Sequence, residues 1–160
     1  MLTNLLLTIT TSTERRLTME LKQISTLISN FANTSAVVDS FREIELHSWG
    51  FDCGDVGLVI TLNPETLTLT LQSDLGVAPP LDRLSVYTTL LGITGQSRHL
   101  RGIRMTLDSL DGSVIQECDI SVKHLDLVAF KDLAEFFVNK AQLGKQLVQR
   151  SPEVAAPQQT

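Results

Sequence analysis

From Pro64 to Gly76 the chain reads PETLTLTLQSDLG, with apolar and polar positions alternating from Thr66 to Gln72. Leu67, Leu69 and Leu71 share one parity, while Thr66, Thr68, Thr70 and Gln72 share the other. Side chains of a strand point to alternate faces, so this run predicts a strand with a leucine wall toward a core and a threonine wall away from it. Val56, Leu58, Ile60 and Leu62 predict a strand just upstream, with Asn63-Pro64 as the turn between the two. FREIELHSW sets Ile44 and Leu46 against Glu43 and Glu45, which predicts a further strand with one wet face. Asp111-Gly112 is a hairpin signal. Ile103, Met105 and Leu107 precede it, and Cys118, Ile120 and Val122 follow it, as the inward sets of a strand pair.

Elsewhere the apolar spacing turns helical. Leu21, Ile24, Leu27, Ile28 and Phe31 form one face of a helix that opens at Met19. Leu84, Tyr87, Leu90 and Leu91 predict a short helix after the Pro79-Pro80 break, closed by Gly92 and Gly95. Leu127, Phe130, Ala134, Phe137, Val138, Ala141 and Val148 mark a long closing helix, with Asp126 as its N-cap. Phe136, Leu143 and Leu147 form a second stripe nearly opposite the first. The order is helix, three strands, helix, two strands, helix. That pattern predicts an α+β domain around a twisted antiparallel sheet. Residues 1–18 read as an N-terminal extension, 19–149 as the domain, and 150–160, rich in Pro, Ala and Gln, as a disordered tail.

Charge and composition narrow the function. The 160 residues carry a net charge of −5, which argues against a general nucleic-acid binder, since phosphate neutralisation needs clustered cations. No stretch approaches the roughly 18 apolar residues of a membrane helix, so no membrane insertion is expected. The start, MLTNLLLTITTSTERR, has no basic region before Leu5–Ile9 and no small-residue cleavage site after it, so a signal peptide is not expected. Cys53 and Cys118 make no CxxC pair and read as reduced thiols of a cytoplasmic protein.

No catalytic constellation emerges. His47 and Cys53 could serve as base and nucleophile, but a strand-end histidine and a semi-buried cysteine are the commoner case. Asp52 with Asp55, and Asp108 with Asp111, read as turn formers and not as metal ligands. Arg98, His99, Arg101 and Arg104 cluster locally, either as an anion site or as a solvated face. No metal and no cofactor is expected.

GVAPPLDRLSVYTTLLGITG gives a strand end, a proline break, a short Leu/Tyr helix and a glycine-rich exit. GIRMTLDSLDGSVIQECDISVKHLDLVAFKDLAEFFVNKAQLGKQL then gives a hairpin and a strongly apolar closing helix. Together these segments resemble the class I type III secretion chaperones, the Tir-chaperone-like (CesT) family, in element order over residues 19–148. The resemblance implies a small acidic cytoplasmic homodimer without enzymatic activity or cofactor. Such a protein binds the N-terminal segment of a secreted effector, keeps it partly unfolded and delivers it to the secretion apparatus and its ATPase.

On this reading Ile28, Phe31, Leu46 and Trp49 are candidates for effector binding, with core packing as the rival account of Ile28 and Leu46. Thr68 and Thr70 would offer a face for an added client strand, unless threonine is there only because it favours strands. Leu84, Tyr87 and Leu91 would form the dimer interface, since a helix this short needs packing to hold it. Phe136, Leu143 and Leu147 would dock a partner, or be covered by the other subunit or by the extension through Leu5, Leu6 and Leu7. Two other readings stand beside this one. One is a small-ligand or regulatory sensor domain using Arg98, Arg101 and Arg104. The less favoured is a cysteine hydrolase using Cys53 with His47 or His99.

Overall fold

The computed structural model describes residues 20–95, 101–123 and 125–149. The calls on the extension (1–18) and on the tail (150–160) lie outside the described residues. The described chain begins with helix α1, residues 20–34. Four strands follow: β1 (Ser40–Glu45), β2 (Ser48–Cys53), β3 (Val56–Asn63) and β4 (Thr68–Asp74). Helix α2 (Arg83–Gly95), strands β5 (Arg104–Leu107) and β6 (Val114–Ser121), and helix α3 (Leu127–Gln149) complete it. The α+β architecture is the expected one. The first group of strands has four members where alternation predicted three, because FREIELHSW breaks at Leu46-His47 and its last residues open β2. His47 takes φ 64° in that turn, a left-handed conformation that ends the strand.

All six strands form one antiparallel sheet in the order β1-β2-β3-β4-β6-β5. Register aligns the inward residues in rows. Trp49 pairs with Ile60, Ile60 with Leu71, and Leu71 with Cys118. All four are buried. On β3 and β4 burial alternates as the sequence predicts: Val56, Leu58, Ile60, Leu62, Leu69 and Leu71 go inside. Ser73 and its register partner Gln116 are polar exceptions on the inward face; Gln116 is fully buried in line with Cys118, its Nε2 donating to the Phe137 carbonyl at 2.9 Å.

α1 and α3 cover the inward face. Phe31 on α1 lies 5.6 Å from the Phe51 ring on β2 and 5.3 Å from the Phe130 ring on α3. Asp126 caps α3 as expected, accepting from the Ala129 N–H at 2.8 Å. At the other end of α3, Gly144 admits the sheet closely, since a Cβ there would lie 2.8 Å from Leu75 Cδ1. Of the predicted stripe, Phe130, Ala134, Phe137, Val138, Ala141 and Val148 are buried, and Leu127 is half-buried at the helix start.

Phe31 joins three elements at zero exposure, so Phe31→Ala should destabilise the protein by about 3–5 kcal/mol. A urea unfolding series that leaves the midpoint where the unsubstituted chain has it would contradict this account of the core.

Candidate partner-binding surfaces

β4 is flanked by β3 and β6, so both of its backbone edges are already paired. Thr68 and Thr70 therefore cannot receive an added strand, which corrects that part of the sequence reading. Leu67 is not part of the strand at all and takes φ 52° in the preceding turn. The threonine wall belongs instead to a polar row across the outward face of the sheet. Ser48 pairs with Thr61, Thr61 with Thr70, and Thr70 with Asp119. The Thr70 hydroxyl donates to Asp119 Oδ1 at 2.7 Å, and Arg104 bridges Asp119 at 2.9 Å and Glu117 at 2.8 Å. Gln72 adds a bond to Glu117 at 3.3 Å. The hydroxyl of Thr70, and after it Arg104, hold the Asp119 carboxyl below the usual carboxylate range against partial burial.

The sheet has two free edges, and β1 is one of them. All six of its residues are exposed. Phe41 stacks on Phe51 at 5.7 Å on the inward side. The register shifts between Glu43 and Glu45, and this bulge throws Ile44 over Gly50, where a Cβ would meet Ile44 Cδ1 at 2.8 Å. Leu46, in the turn, is 81% exposed. Of the candidate effector-binding residues, Leu46 stands on this surface, and Trp49 lies buried on β2 with Glu43 of β1 as its register partner. Ile28 and Phe31 sit at zero exposure in the core and reach no surface. Phe41 and Ile44 were not among the candidate binding residues, although Ile44 was read as an apolar position of the strand. Their signal was Phe41 one parity away from Arg42 on an otherwise charged strand, and a glycine opposite.

The second surface surrounds α2. Leu84 and Leu91 are 80% and 66% exposed, with Leu81, Leu107 and Leu110 open beside them on the lead-in to α2 and on the β5–β6 hairpin. Between α2 and β5 runs a groove of about 370 Å³ lined by Tyr87, Leu91, Met105 and Leu107. Tyr87 is half-buried and fixed, its hydroxyl donating to the Gly112 carbonyl at 2.9 Å. Thus Leu84 and Leu91 face out as expected, while Tyr87 anchors the helix to its own chain.

The second stripe of α3 divides. The Phe136 ring lies under Arg101 at 5.0 Å and Lys140 at 5.3 Å. Leu143 and Leu147 line a cleft of about 280 Å³ with Ile93, Ile103 and Met105, so α2 and β5 supply part of the cover this stripe requires.

The pairing of Cys53 with His47 loses its geometry. His47 and Cys53 stand at opposite ends of β2, roughly 17–20 Å apart for a strand of that length. Burial, then the charges of Asp39 and Asp52, push the Cys53 thiol up to about 11. Burial likewise raises Cys118. Of the expected basic cluster, Arg98 and His99 lie outside the described residues, Arg104 is paired with two carboxylates, and Arg101 lies over a ring. Asp108 and Asp111 accept backbone N–H bonds within their turn. Among the described residues no group of His, Cys, Asp or Glu could hold a metal ion.

The model of the Tir chaperone protein (CesT) family matches residues 26–143, about three quarters of the chain. The fold is similar to a chain of the ExsC-ExsE complex, with a TM-score of 0.58 at 18% identity over 80% of this chain and 95% of that one. A chain of the HopA1-SchA chaperone-effector complex gives 0.61 at 12% identity, over 80% and 97%. YbjN from E. coli, described as a putative transcription regulator, gives 0.52 at 16% identity, over 80% and 87%. At these identities the likeness is one of fold, and a fold shared with YbjN does not choose a function. The family match does. The comparison with curated protein sequences returns no match.

Two outcomes check this site description. Neither thiol should react with a disulfide reagent at pH 8 in the folded protein, and both should react in urea. Thr70→Val should let the Asp119 pKa rise toward its ordinary value, read by carboxyl NMR titration. A depressed pKa contributes stability above the ordinary carboxylate range, and that stability is lost as pH falls through the folded value. The variant should therefore show less of this acid-side loss.

Proposed function

The chain belongs to the Tir chaperone protein (CesT) family and is a type III secretion chaperone, and we propose that its two apolar surfaces divide the work. The β1 edge, with Phe41, Ile44 and Leu46, takes the N-terminal segment of one or more secreted effectors in extended form. The exposed leucines of α2 and the β5–β6 hairpin join two copies into a homodimer. The complex stays in the cytoplasm, keeps the effector secretion-competent, and brings it to the secretion apparatus and its ATPase. No catalytic step is required of the chain.

One observation carries this reading. Of the eleven large apolar side chains exposed among the described residues, eight fall on these two surfaces. A free edge with apolar groups on both sides suits an extended client: main-chain bonds hold any sequence, and the side pockets hold alternate side chains. A helical stripe with seven-residue spacing, Leu84 to Leu91, suits a twofold contact in which the same stripe meets itself. Membrane attachment has no support from the helices: among the described residues none is long and apolar enough to cross a membrane.

The surfaces are separable by mutation. Leu84→Asp with Leu91→Asp should convert a dimer to a monomer in light scattering at micromolar concentration; a monomeric unsubstituted chain would remove the dimer. Phe41→Ala with Leu46→Asp should leave the dimer intact and lower recovery of effectors from secreting cells at least tenfold. Trp49 fluorescence should shift when an effector segment binds, because β1 lies against it. Unchanged recovery with both substitutions would place the client elsewhere.

A further inference from the structure

At the far end of the β4–β6 ladder from α2 lies a larger groove, about 540 Å³, that neither proposed surface uses. Its walls are Ile24 and Leu27 of α1, Leu67 of the β3–β4 turn, and Val122 and Leu125 of the connection from β6 to α3. The Val122 N–H donates to the Leu67 carbonyl at 3.0 Å, so the turn and the connection form one wall. Glu20, Gln23 and Lys123 make a polar rim.

We propose that residues 1–18 of this same chain lie in this groove as a tethered ligand. The first reason is position: Glu20, where the described residues begin, stands on the rim, so the preceding segment leaves the domain at the groove. The second is chemistry. Leu2, Leu5, Leu6, Leu7 and Ile9 supply apolar groups for five apolar wall residues, and no side chain from Met1 to Thr13 is charged. Entry therefore strips water from no ionised side chain.

Reach is the third reason. Leu7 is thirteen residues from Glu20, up to about 45 Å of extended chain, and Thr10, Thr11, Ser12 and Thr13 suit a reversal between them. A tether of this length gives a millimolar effective concentration, at which even a millimolar contact is half-populated. The competing cover for this segment is poorer. Phe136 already lies under two cations, and the cleft at Leu143 and Leu147 is about half the size, on the side of α3 that faces α2. The family match begins at residue 26, so this self-ligand is an addition to the shared domain. The proposal does not depend on the chaperone reading. Under that reading, the segment is what a client reaching this groove must displace.

The test uses the full chain carrying a nitroxide on Leu6→Cys, and in a second sample on Thr13→Cys, where no apolar group is lost. Cys53 and Cys118 are buried and should stay unlabelled, which the unsubstituted chain checks. The expected result is broadening of the Ile24, Leu27, Val122 and Leu125 methyl signals that disappears on reducing the nitroxide. It should persist when labelled chains are diluted into isotope-silent copies. Broadening centred on Leu143 and Leu147 would overturn the proposal. So would broadening that vanishes on dilution, which would mean a second copy supplies the segment, or no broadening from either label.

Discussion

The packing of Phe31 between β2 and α3 is the contact on which the other features depend. Its ring meets Phe51 in a tilted pair and Phe130 edge-on. Each such pair is worth about 0.5–1.5 kcal/mol beyond the area it buries. α1 is short and its sequence weakens toward Asn30, Asn33 and Thr34, so tertiary contact must hold it. Polar ties follow the same seam: Ser35 donates to Glu135 at 2.7 Å, and Lys131 reaches the Thr34 carbonyl at 2.8 Å. With α1 and α3 fixed on one face, the sheet is left one-sided, and the interior strands must alternate.

That one-sidedness explains the threonine wall. On an interior strand the outward residues meet cross-strand neighbours, and charges directly opposite like charges would repel. β6 brings Asp119 and Glu117 opposite Thr70 and Gln72. Thr70 donates to one carboxylate and Gln72 to the other, while Arg104 on β5 neutralises both. Threonine combines strand propensity, a donor and no charge, which is what this row requires of its acid-facing position.

How far the chain could be read follows from which features are local. Alternation on β3 and β4, the Asp126 cap and the α3 stripe are set by neighbours in sequence, and they were legible. The break at Leu46-His47 was not, because neither residue is a turn former and His47 adopts its left-handed backbone only where the two strands pair. Strand order was equally hidden: nothing in TLTLQSD says that β6 and not solvent lies beside it. The same gap left Ile28 open between core and client and sent Phe31 to the surface in the sequence reading, since an apolar helix position looks alike whether a sheet or a client covers it. Leu84 and Leu91 are exposed, as an interface role would require, because α2 carries more leucine than its short inner face can use. On β1, Ile44 was read as apolar but not as a binding residue, and Phe41 was missed, where three charges mask it.

Those charges bear on how a free edge can coexist with a soluble protein. Arg42, Glu43 and Glu45 and the bulge between Glu43 and Glu45 are the usual guards against edge-to-edge pairing. They discourage a second β1 strand, because two copies would bring Glu43 and Glu45 into each other's field. A client strand lacking those acids meets no such repulsion, so the guard discriminates against self while leaving the backbone donors and acceptors open. The α2 surface has no comparable protection: Leu84 and Leu91 have Thr88 between them on their face and no charge. An unguarded apolar stripe is compatible with solubility when something covers it persistently, and a charged edge is compatible with intermittent occupancy. The distribution of charge between the two surfaces thus fits the proposed division, with a lasting contact at α2 and an exchangeable one at β1.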